Sequence, residues 1–388
     1  MSPPPARARA RSWPLRSPVD AAGASQSPHL QSKALTVESA PQTIVSVRGR
    51  VSGLLARESS ARRGRDVVLL GLDGIPHDLG VRSWPHATTS MLHSVFPTTS
   101  STGWLSSLSG ASVEEHGVPG VVFKLKETGG ALVNVFDAGC QFGGRTEGNL
   151  FEDARRAGYS PVAILGDLEN LDCAWRSELL RGAEWVRGFC FYDRPGEPER
   201  PDAKAICDQI RRAIRTALGG PKSGPRLVWC FVDVDRYIHR HGYDEHVREV
   251  LVGVDQIACE LANDAIVIAH SDHGLTPTIH DPIVGEILQE LERGLECEIG
   301  GAGRTRWIYP GPGGEARALD LLSRRLPPSI RVCRAEEHFS EGSLARSRVG
   351  EILLIAEGTA FVAPEAYRFE HGSLTDDEVA VPFSTWGA

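Results

Sequence analysis

The 388-residue chain has no Cys-x-x-Cys pair; its eight cysteines are scattered at Cys140, Cys173, Cys190, Cys207, Cys230, Cys259, Cys297 and Cys333. That spacing excludes the common zinc-thiolate motifs and argues against a disulfide framework, so reduced thiols are expected. No apolar run reaches the roughly 20 residues needed to cross a bilayer, so no membrane partner is expected. The first 60 residues are rich in Arg, Ser, Pro and Ala, carry no acid before Asp20 and lack a continuous apolar h-region. A secretory signal is therefore not expected. The reading of residues 1–64 is a disordered leader, with a transit peptide as the compositional alternative, and a cytoplasmic location is expected. Positive charge is also short. The formal net charge is −8, which excludes a broad polyanion-binding surface and with it a nucleic-acid polymer as partner. An anionic small substrate would need strong local positive charge, and metal ions are the obvious source.

What is present is ordinary globular material, 41% hydrophobic and 24% charged, long enough for one large domain or one domain with an inserted cap. Short apolar runs recur at residues 66–72, 161–165, 227–232 and 265–269, the look of buried parallel strands. Helical patterns at 152–157, 203–218 and 245–261 lie between them. The alternation predicts a doubly wound, mostly parallel α/β sheet, in which reactive groups gather at the carboxyl ends of strands. Asp73, Asp235 and Asp272 follow the first, third and fourth runs. From residue 281 to 364 the pattern changes to short strand candidates at 306–309 and 351–355, separated by Gly-Pro-rich turns such as Pro310-Gly311-Pro312-Gly313-Gly314. This predicts an inserted α+β cap at 281–364, with the catalytic core at 65–280 and 365–388.

Four separated segments and a late pair carry ligand-type residues. They are Leu72-Asp73-Gly74; Phe96-Pro97-Thr98-Thr99-Ser100-Ser101-Thr102, running on to Ser109-Gly110 and His116-Gly117; Asp233-Val234-Asp235-Arg236-Tyr237-Ile238-His239-Arg240-His241-Gly242; Ser271-Asp272-His273-Gly274; and His371-Gly372. Each has a bland reading alone. Asp-Gly is a turn signal, a Ser/Thr run is a loop or helix cap, and Asp235 with His239 at i, i+4 suits a surface pair as well as a chelate. Together they offer the carboxylate oxygens and imidazole nitrogens that suit zinc and similar ions. Two such ions can clamp an in-line displacement at phosphorus and activate a hydroxyl nucleophile. A hydroxyl at a helix start, as predicted for Ser100, gains further from backbone N–H groups.

In this order the segments resemble the alkaline-phosphatase superfamily, closest to its nucleotide pyrophosphatase/phosphodiesterase branch and small bacterial relatives, over residues 66–382. Asp73 occupies the place of the Asp that ends the family's first strand. Counting back ten residues from Gly110 reaches Ser100, the place of the nucleophile. Asp235, His239 and Gly242 match Asp-x-x-x-His-x-x-Gly; Asp272, His273 and Gly274 match Asp-His-Gly; and His371-Gly372 with Val381-Pro382 matches the closing element. The resemblance implies an alkaline-phosphatase-like fold and two divalent metal ions, usually zinc, with manganese possible. Asp73, Ser100, Asp272 and His273 would hold one ion, and Asp235, His239 and His371 the other. It implies a small phosphorylated substrate and a phosphodiesterase or nucleotide-pyrophosphatase activity. Phosphomonoester or phosphonate hydrolysis on the same site is the enzymatic alternative, and a catalytically silent metal- or ligand-binding protein the alternative of another class. Two departures matter. Ser100 stands where Thr is commoner, and Val121 stands where nucleotide-cleaving members carry an Asn that helps hold the phosphoryl oxygen. No x-Pro-x-Arg follows Ser100, which disfavours sulfatase. His77, His86, His93, His241, His280 and Asp233 lack spacing support, and Trp84 and Trp104 are expected in the core or a pocket wall.

Overall fold

A computed structural model describes residues 42–61, 64–140, 146–192, 200–220 and 224–387. Its centre is a seven-stranded sheet in the order Thr88–His93, Ala380–Trp386, Ala265–His270, Asp66–Asp73, Arg226–Asp233, Ser160–Ile164 and Glu184–Val186. The strand Asp66–Asp73 lies in the middle, parallel to both neighbours, with Asp73 opposite Asp233. Only Ala380–Trp386 runs against the others among the described strands. The doubly wound, mostly parallel sheet expected from the alternation is present.

Its strands read as continuous apolar runs because both faces are covered. Along Asp66–Asp73, Val67 and Leu69 enter one hydrophobic cluster, while Val68, Leu70 and Leu72 enter another on the opposite face. This is the period-two alternation of side chains along a strand. The second face is covered by helices Ala203–Gly219 and Glu245–Leu261, the former burying Ile206, Ile210 and Ile214 at four-residue spacing. The first face is covered by helices Ser100–Ser109 and Ser46–Ser60.

That last helix corrects part of the expected leader. Residues 1–41 lie outside the described residues, but Ser46–Ser60 is a helix with Val47, Val51 and Leu55 buried. Arg48 fixes it to the body of the protein through Asp153 at 2.7 Å and the Ser109 carbonyl at 2.6 Å. Its apolar positions form a narrow i, i+4, i+8 stripe that the surrounding Arg and Ser masked in composition.

The α+β region also differs from a closed insertion at 281–364. A six-stranded antiparallel sheet contains Ile330–Arg334, Ile352–Ala356, Thr305–Tyr309 and Glu298–Ala302, and continues into Val122–Leu125 and Ala131–Asn134. Residues 122–134 thus supply two of its strands. Short strands near the loop after the fourth run complete that region, including Thr276–Pro277 paired with Phe369–Glu370. All eight cysteines are free, and no helix among the described residues is long and apolar enough to cross a membrane.

Candidate active site

The reactive side chains collect where the central strands end. Asp73 is the last residue of its strand and 4% exposed. Ser100 is the first residue of helix Ser100–Ser109, whose N-cap Thr99 makes no side-chain capping bond. The first N–H groups of that helix therefore remain available to an anion. Ser100 Oγ lies 3.2 Å from Asp73 Oδ1 and 3.1 Å from His273 Nε2. Gly103 lets the same helix pack close against Asp272: a Cβ there would sit 2.8 Å from Asp272 Cβ.

Asp272 and His273 lie in the turn after strand Ala265–His270, both fully buried. The Ser271 hydroxyl accepts from the Ile75 N–H at 2.9 Å and donates to the His273 carbonyl at 2.8 Å, tying this turn to the one after Asp73. Asp235 does not end its strand as expected. The strand stops at Asp233, and Asp235 opens the helix Asp235–His241. The i, i+4 relation then brings His239 Nε2 to 3.0 Å from Asp235 Oδ2, while His371 Nε2 lies 4.0 Å from Asp235 Oδ1. The His273 and His371 rings stack with centroids 4.0 Å apart. The seven expected residues, Asp73, Ser100, Asp235, His239, Asp272, His273 and His371, are thus brought into one continuous cluster.

Among the described residues three groups have ligand atoms mutually within 4.8 Å: Asp235, His239 and His371, and Asp73, Asp235 and His273 in this cluster, and His86, Asp255 and Cys259 away from it. Asp235 faces both groups of the cluster, whereas the expected division gave it to one ion and put Asp272 beside Asp73.

The orientation of the histidines is set by what their other nitrogen meets. His371 Nδ1 is 2.9 Å from the Thr98 carbonyl, His239 Nδ1 is 2.8 Å from the Phe369 carbonyl and His273 Nδ1 is 3.2 Å from the Gly274 carbonyl. A carbonyl can only accept, so Nδ1 carries a proton in each ring and Nε2 is the nitrogen that faces the site; in His239 it lies against Asp235 Oδ2, and a cation bound there would take the place of its proton. Glu370 adds a carboxylate 3.0 Å from His239 Nδ1. Opposite these Nε2 atoms, Asp235 Oδ1 and both Asp272 carboxylate oxygens are buried without a hydrogen-bond partner among the described residues. Inward Nε2 atoms facing unpaired carboxylate oxygens, with the imidazoles anchored behind by carbonyls and a carboxylate, are the donor set a divalent cation requires.

Electrostatics supports the same fit. Burial, reinforced by Asp272, Asp235 and Asp233, raises Asp73 well above the usual carboxylate range. Burial, opposed by His273, lifts Asp272 to about 6. Burial works against a charge on His239, but Asp235 and Glu370 outweigh it and raise the imidazole to about 9. Asp73 and Asp272, crowded this way, need positive charge beside them to stay ionised, whereas Asp235, despite its burial, is held below the usual carboxylate range by His239, His371 and His273.

Several contributors carry no motif in the sequence that marks them as functional. Trp104, one helical turn after Ser100, donates its indole N–H to Asp73 Oδ2 at 3.1 Å. Tyr367 stacks on His239 with centroids 4.3 Å apart. Glu370 is adjacent to His371, and that adjacency was the available clue. The residues without spacing support stay apart from the cluster: His86 pairs with Asp255, His280 bonds the Ala363 carbonyl and His241 stacks on Tyr237. Asp233, by contrast, lines the same cavity as Ser100. His116 is buried, with Ser106 and the Val118 N–H as partners. A cavity of about 450 Å³ opens beside Ser100, walled by Phe136, Leu168, Leu171, Trp175 and Tyr367, with Asp167 and Asp233 among its polar residues. Val121 lines a different cavity, with Gly300 and Arg306.

A family model described as type I phosphodiesterase / nucleotide pyrophosphatase matches residues 85–367. Among solved structures, murine ectonucleotide pyrophosphatase/phosphodiesterase 5 is similar at 15% identity and TM-score 0.58, over 84% of this chain and 88% of that one. An inactive variant of it in complex with AMP is similar to the same extent, with a TM-score of 0.59. Phosphonoacetate hydrolase from Sinorhizobium meliloti 1021, in complex with phosphonoformate, is similar at 17% identity and TM-score 0.61, over 83% of this chain and 90% of that one. No curated protein matches the sequence.

Proposed function

We propose that this chain, which belongs to the type I phosphodiesterase / nucleotide pyrophosphatase family and so to the phosphoric ester hydrolases, cleaves a small phosphorylated substrate with Ser100 as nucleophile and two divalent cations, most suitably Zn2+. The observation that carries this reading is the place of Ser100 Oγ, at an uncapped helix start and within 3.2 Å of both Asp73 and His273.

Asp73, Ser100, Asp272 and His273 would hold one cation and Asp235, His239 and His371 the other, with Asp235 facing both. Bound there, the cations would neutralise non-bridging oxygens and lower the pKa of the seryl hydroxyl. The chain's own part follows from its geometry. The N–H groups at the start of helix Ser100–Ser109 bind a phosphoryl oxygen and turn phosphorus toward Oγ. Deprotonated Ser100 Oγ attacks in line; the Oγ–P bond forms as the bond from phosphorus to the leaving oxygen breaks, and the leaving group departs with the electron pair. A water then attacks phosphorus from the vacated side and gives up a proton, the Oγ–P bond breaks, and Ser100 Oγ, leaving with the electron pair, takes up a proton to regenerate the hydroxyl. Trp104 holds Asp73, and the backbone carbonyls of Thr98, Phe369 and Gly274 hold the three imidazoles, so little has to rearrange when substrate arrives.

A second reading, phosphonate or phosphomonoester hydrolysis on the same residues, is favoured by the place of Val121. Where nucleotide-cleaving relatives are expected to have an Asn near the phosphoryl oxygen, this chain has an apolar side chain that lines a separate cavity. Side-by-side assay of a nucleotide diester, p-nitrophenyl phosphate and phosphonoacetate with Zn2+, Mn2+ and no metal separates the two readings. Ser100→Ala should lower turnover by at least about 10³-fold, the scale of losing a nucleophile, while metal content stays near that of the wild type. Full activity in that variant refutes the assignment.

A further inference from the structure

The cavity beside Ser100 has a charged wall that the chemistry above does not use. Asp167 lies in the 3-10 turn Gly166–Asn170, past the carboxyl end of strand Ser160–Ile164. It is 6% exposed and lines the cavity with Ser100. Neither of its carboxylate oxygens has a hydrogen-bond partner among the described residues. The turn is held in place: Gly166 adopts φ +56°, and a Cβ there would come within 3.0 Å of the Phe231 carbonyl oxygen. The backbone of the turn therefore lies close against strand Arg226–Asp233 next to Asp167. The nearby guanidinium of Arg236 faces Asp233, at 3.5 Å.

A buried carboxylate without donors is costly, and such groups are normally satisfied by a partner, a water or a ligand. The surroundings indicate which ligand. Asp233 and Arg236 line the same cavity and face each other; burial and Asp167 push the Asp233 carboxyl up to about 8, which leaves Asp167 as the carboxylate without a cationic partner among the described residues. Phe136, Trp175 and Tyr367 present aromatic walls, and Trp175 is fixed by its indole N–H to the Ser101 carbonyl at 2.8 Å, on the nucleophile's own helix. A cationic group fits aromatic faces and a carboxylate alike. A quaternary ammonium has no N–H and would leave both Asp167 oxygens without donors. A primary ammonium has three.

We propose that this cavity selects phosphoryl compounds whose second substituent ends in a primary ammonium group, with Asp167 as its receptor. The inference deepens the hydrolase reading and rests on it for the phosphoryl end of the ligand.

The test is calorimetric titration of the Zn2+-loaded chain with 2-aminoethylphosphonate, its methyl isostere propylphosphonate, and 2-(trimethylammonio)ethylphosphonate. The aminoethyl compound should bind about 10- to 100-fold more tightly than propylphosphonate, the size expected of charge-assisted hydrogen bonds, and more tightly than the trimethylated compound. Asp167→Asn keeps the shape of the side chain and should bring the aminoethyl-to-propyl ratio down at least about tenfold; thermal melting checks that the variant is folded. Equal affinities for the three compounds in the wild type, tighter binding of the trimethylated one, or binding of none overturns the inference, whatever the variant does. Hydrolysis of the 2-aminoethyl and propyl p-nitrophenyl phosphate diesters is followed alongside. Preferential binding with neither ester cleaved leaves the ammonium site standing and removes the hydrolase reading. Cleavage of both esters with no binding preference does the reverse.

Discussion

Replacing Trp104 by Phe should weaken metal binding by more than its effect on packing alone. The indole N–H donates to Asp73 Oδ2 at 3.1 Å, while the ring packs against Trp229, Phe231 and His270 with centroids 5.9, 5.6 and 5.1 Å away. Phenylalanine keeps most of those ring contacts and loses the donor. The smaller ring leaves a void that costs about 1–2 kcal/mol of fold stability, in the metal-free and metal-loaded protein alike. The lost donor acts differently on the two states. With cations bound Asp73 is ionised, and a hydrogen bond to a charged group is worth about 1.5–3 kcal/mol. Without them, burial and the neighbouring carboxylates raise Asp73 well above the usual carboxylate range, and in its protonated form the bond is a neutral one worth about 1 kcal/mol. The difference, about 0.5–2 kcal/mol, falls on metal affinity and corresponds to a roughly 2- to 30-fold loss. A chelator-competition titration with Zn2+ reads the affinity, and thermal melting of the metal-free protein reads the packing term. A variant that melts earlier yet binds Zn2+ as tightly as the wild type would show that Trp104 acts on the site through packing alone.

Two further substitutions probe the surroundings of the cluster. Glu370→Gln removes the charge 3.0 Å from His239 Nδ1 and should weaken Zn2+ binding by about tenfold, the usual cost of losing a carboxylate behind a histidine ligand; unchanged affinity would mean that the Phe369 carbonyl alone orients the ring. His116 is held neutral, its pKa lowered to about 3 by burial and by Arg348, so the unfolded chain takes up a proton near pH 6.5 that the folded chain refuses. Stability from this group is complete above pH 6.5 and falls as pH drops towards 3, by about 2 kcal/mol between pH 6.5 and 5. In urea unfolding, His116→Gln should flatten that slope; an identical pH dependence in variant and wild type refutes the neutral state.

The parallel sheet was legible because its central strands are buried on both faces and so appear as unbroken apolar runs. The helix Ser46–Ser60 was not, because its buried stripe of Val47, Val51 and Leu55 lies among arginines and serines whose ring of polar contacts, such as Arg48 with Asp153, depends on a residue about a hundred positions away. For the same reason Val122–Leu125 and Ala131–Asn134 gave no hint of joining Glu298–Ala302: pairing across such a distance leaves no local periodicity. In the candidate site the strand-end rule expected Asp73, Asp235 and Asp272 to end their strands; Asp73 does, while Asp235 and Asp272 each stand two residues beyond, after strands that stop at Asp233 and His270. Applied to the run at 161–165, the same rule would have singled out Asp167, which stands just beyond it. Glu370 and Trp104 were harder, since their roles depend on which nitrogen or oxygen they face, and only coordinates supply that.

The segments of the cluster also explain why residues so far apart can hold a common geometry. Each histidine is oriented by a main-chain carbonyl, and two of those carbonyls belong to other segments of the same constellation. Thr98, two residues before Ser100, holds His371, while Phe369, two residues before His371, holds His239, whose own carbonyl accepts from the Arg368 N–H at 2.7 Å. Ser94, ahead of the nucleophile, donates to the Asp272 carbonyl. The nucleophile loop, the Asp235 helix, the Asp272 turn and the closing His-Gly are therefore bound to one another through main-chain acceptors, three of them met by side chains and one, the His239 carbonyl, by a backbone N–H. These bonds act against the repulsion among Asp73, Asp235 and Asp272. Left free to relax, Asp73 and Asp272 would move apart or take up protons; held at the ends of strands and helices beside Asp235, they keep a concentrated negative field into which cations can bind with little reorganisation of their ligands. Geometry is then a property of the fold, and charge balance a property of what binds. That division accounts for unpaired oxygens on Asp235 and Asp272 in a site whose imidazoles are all firmly anchored.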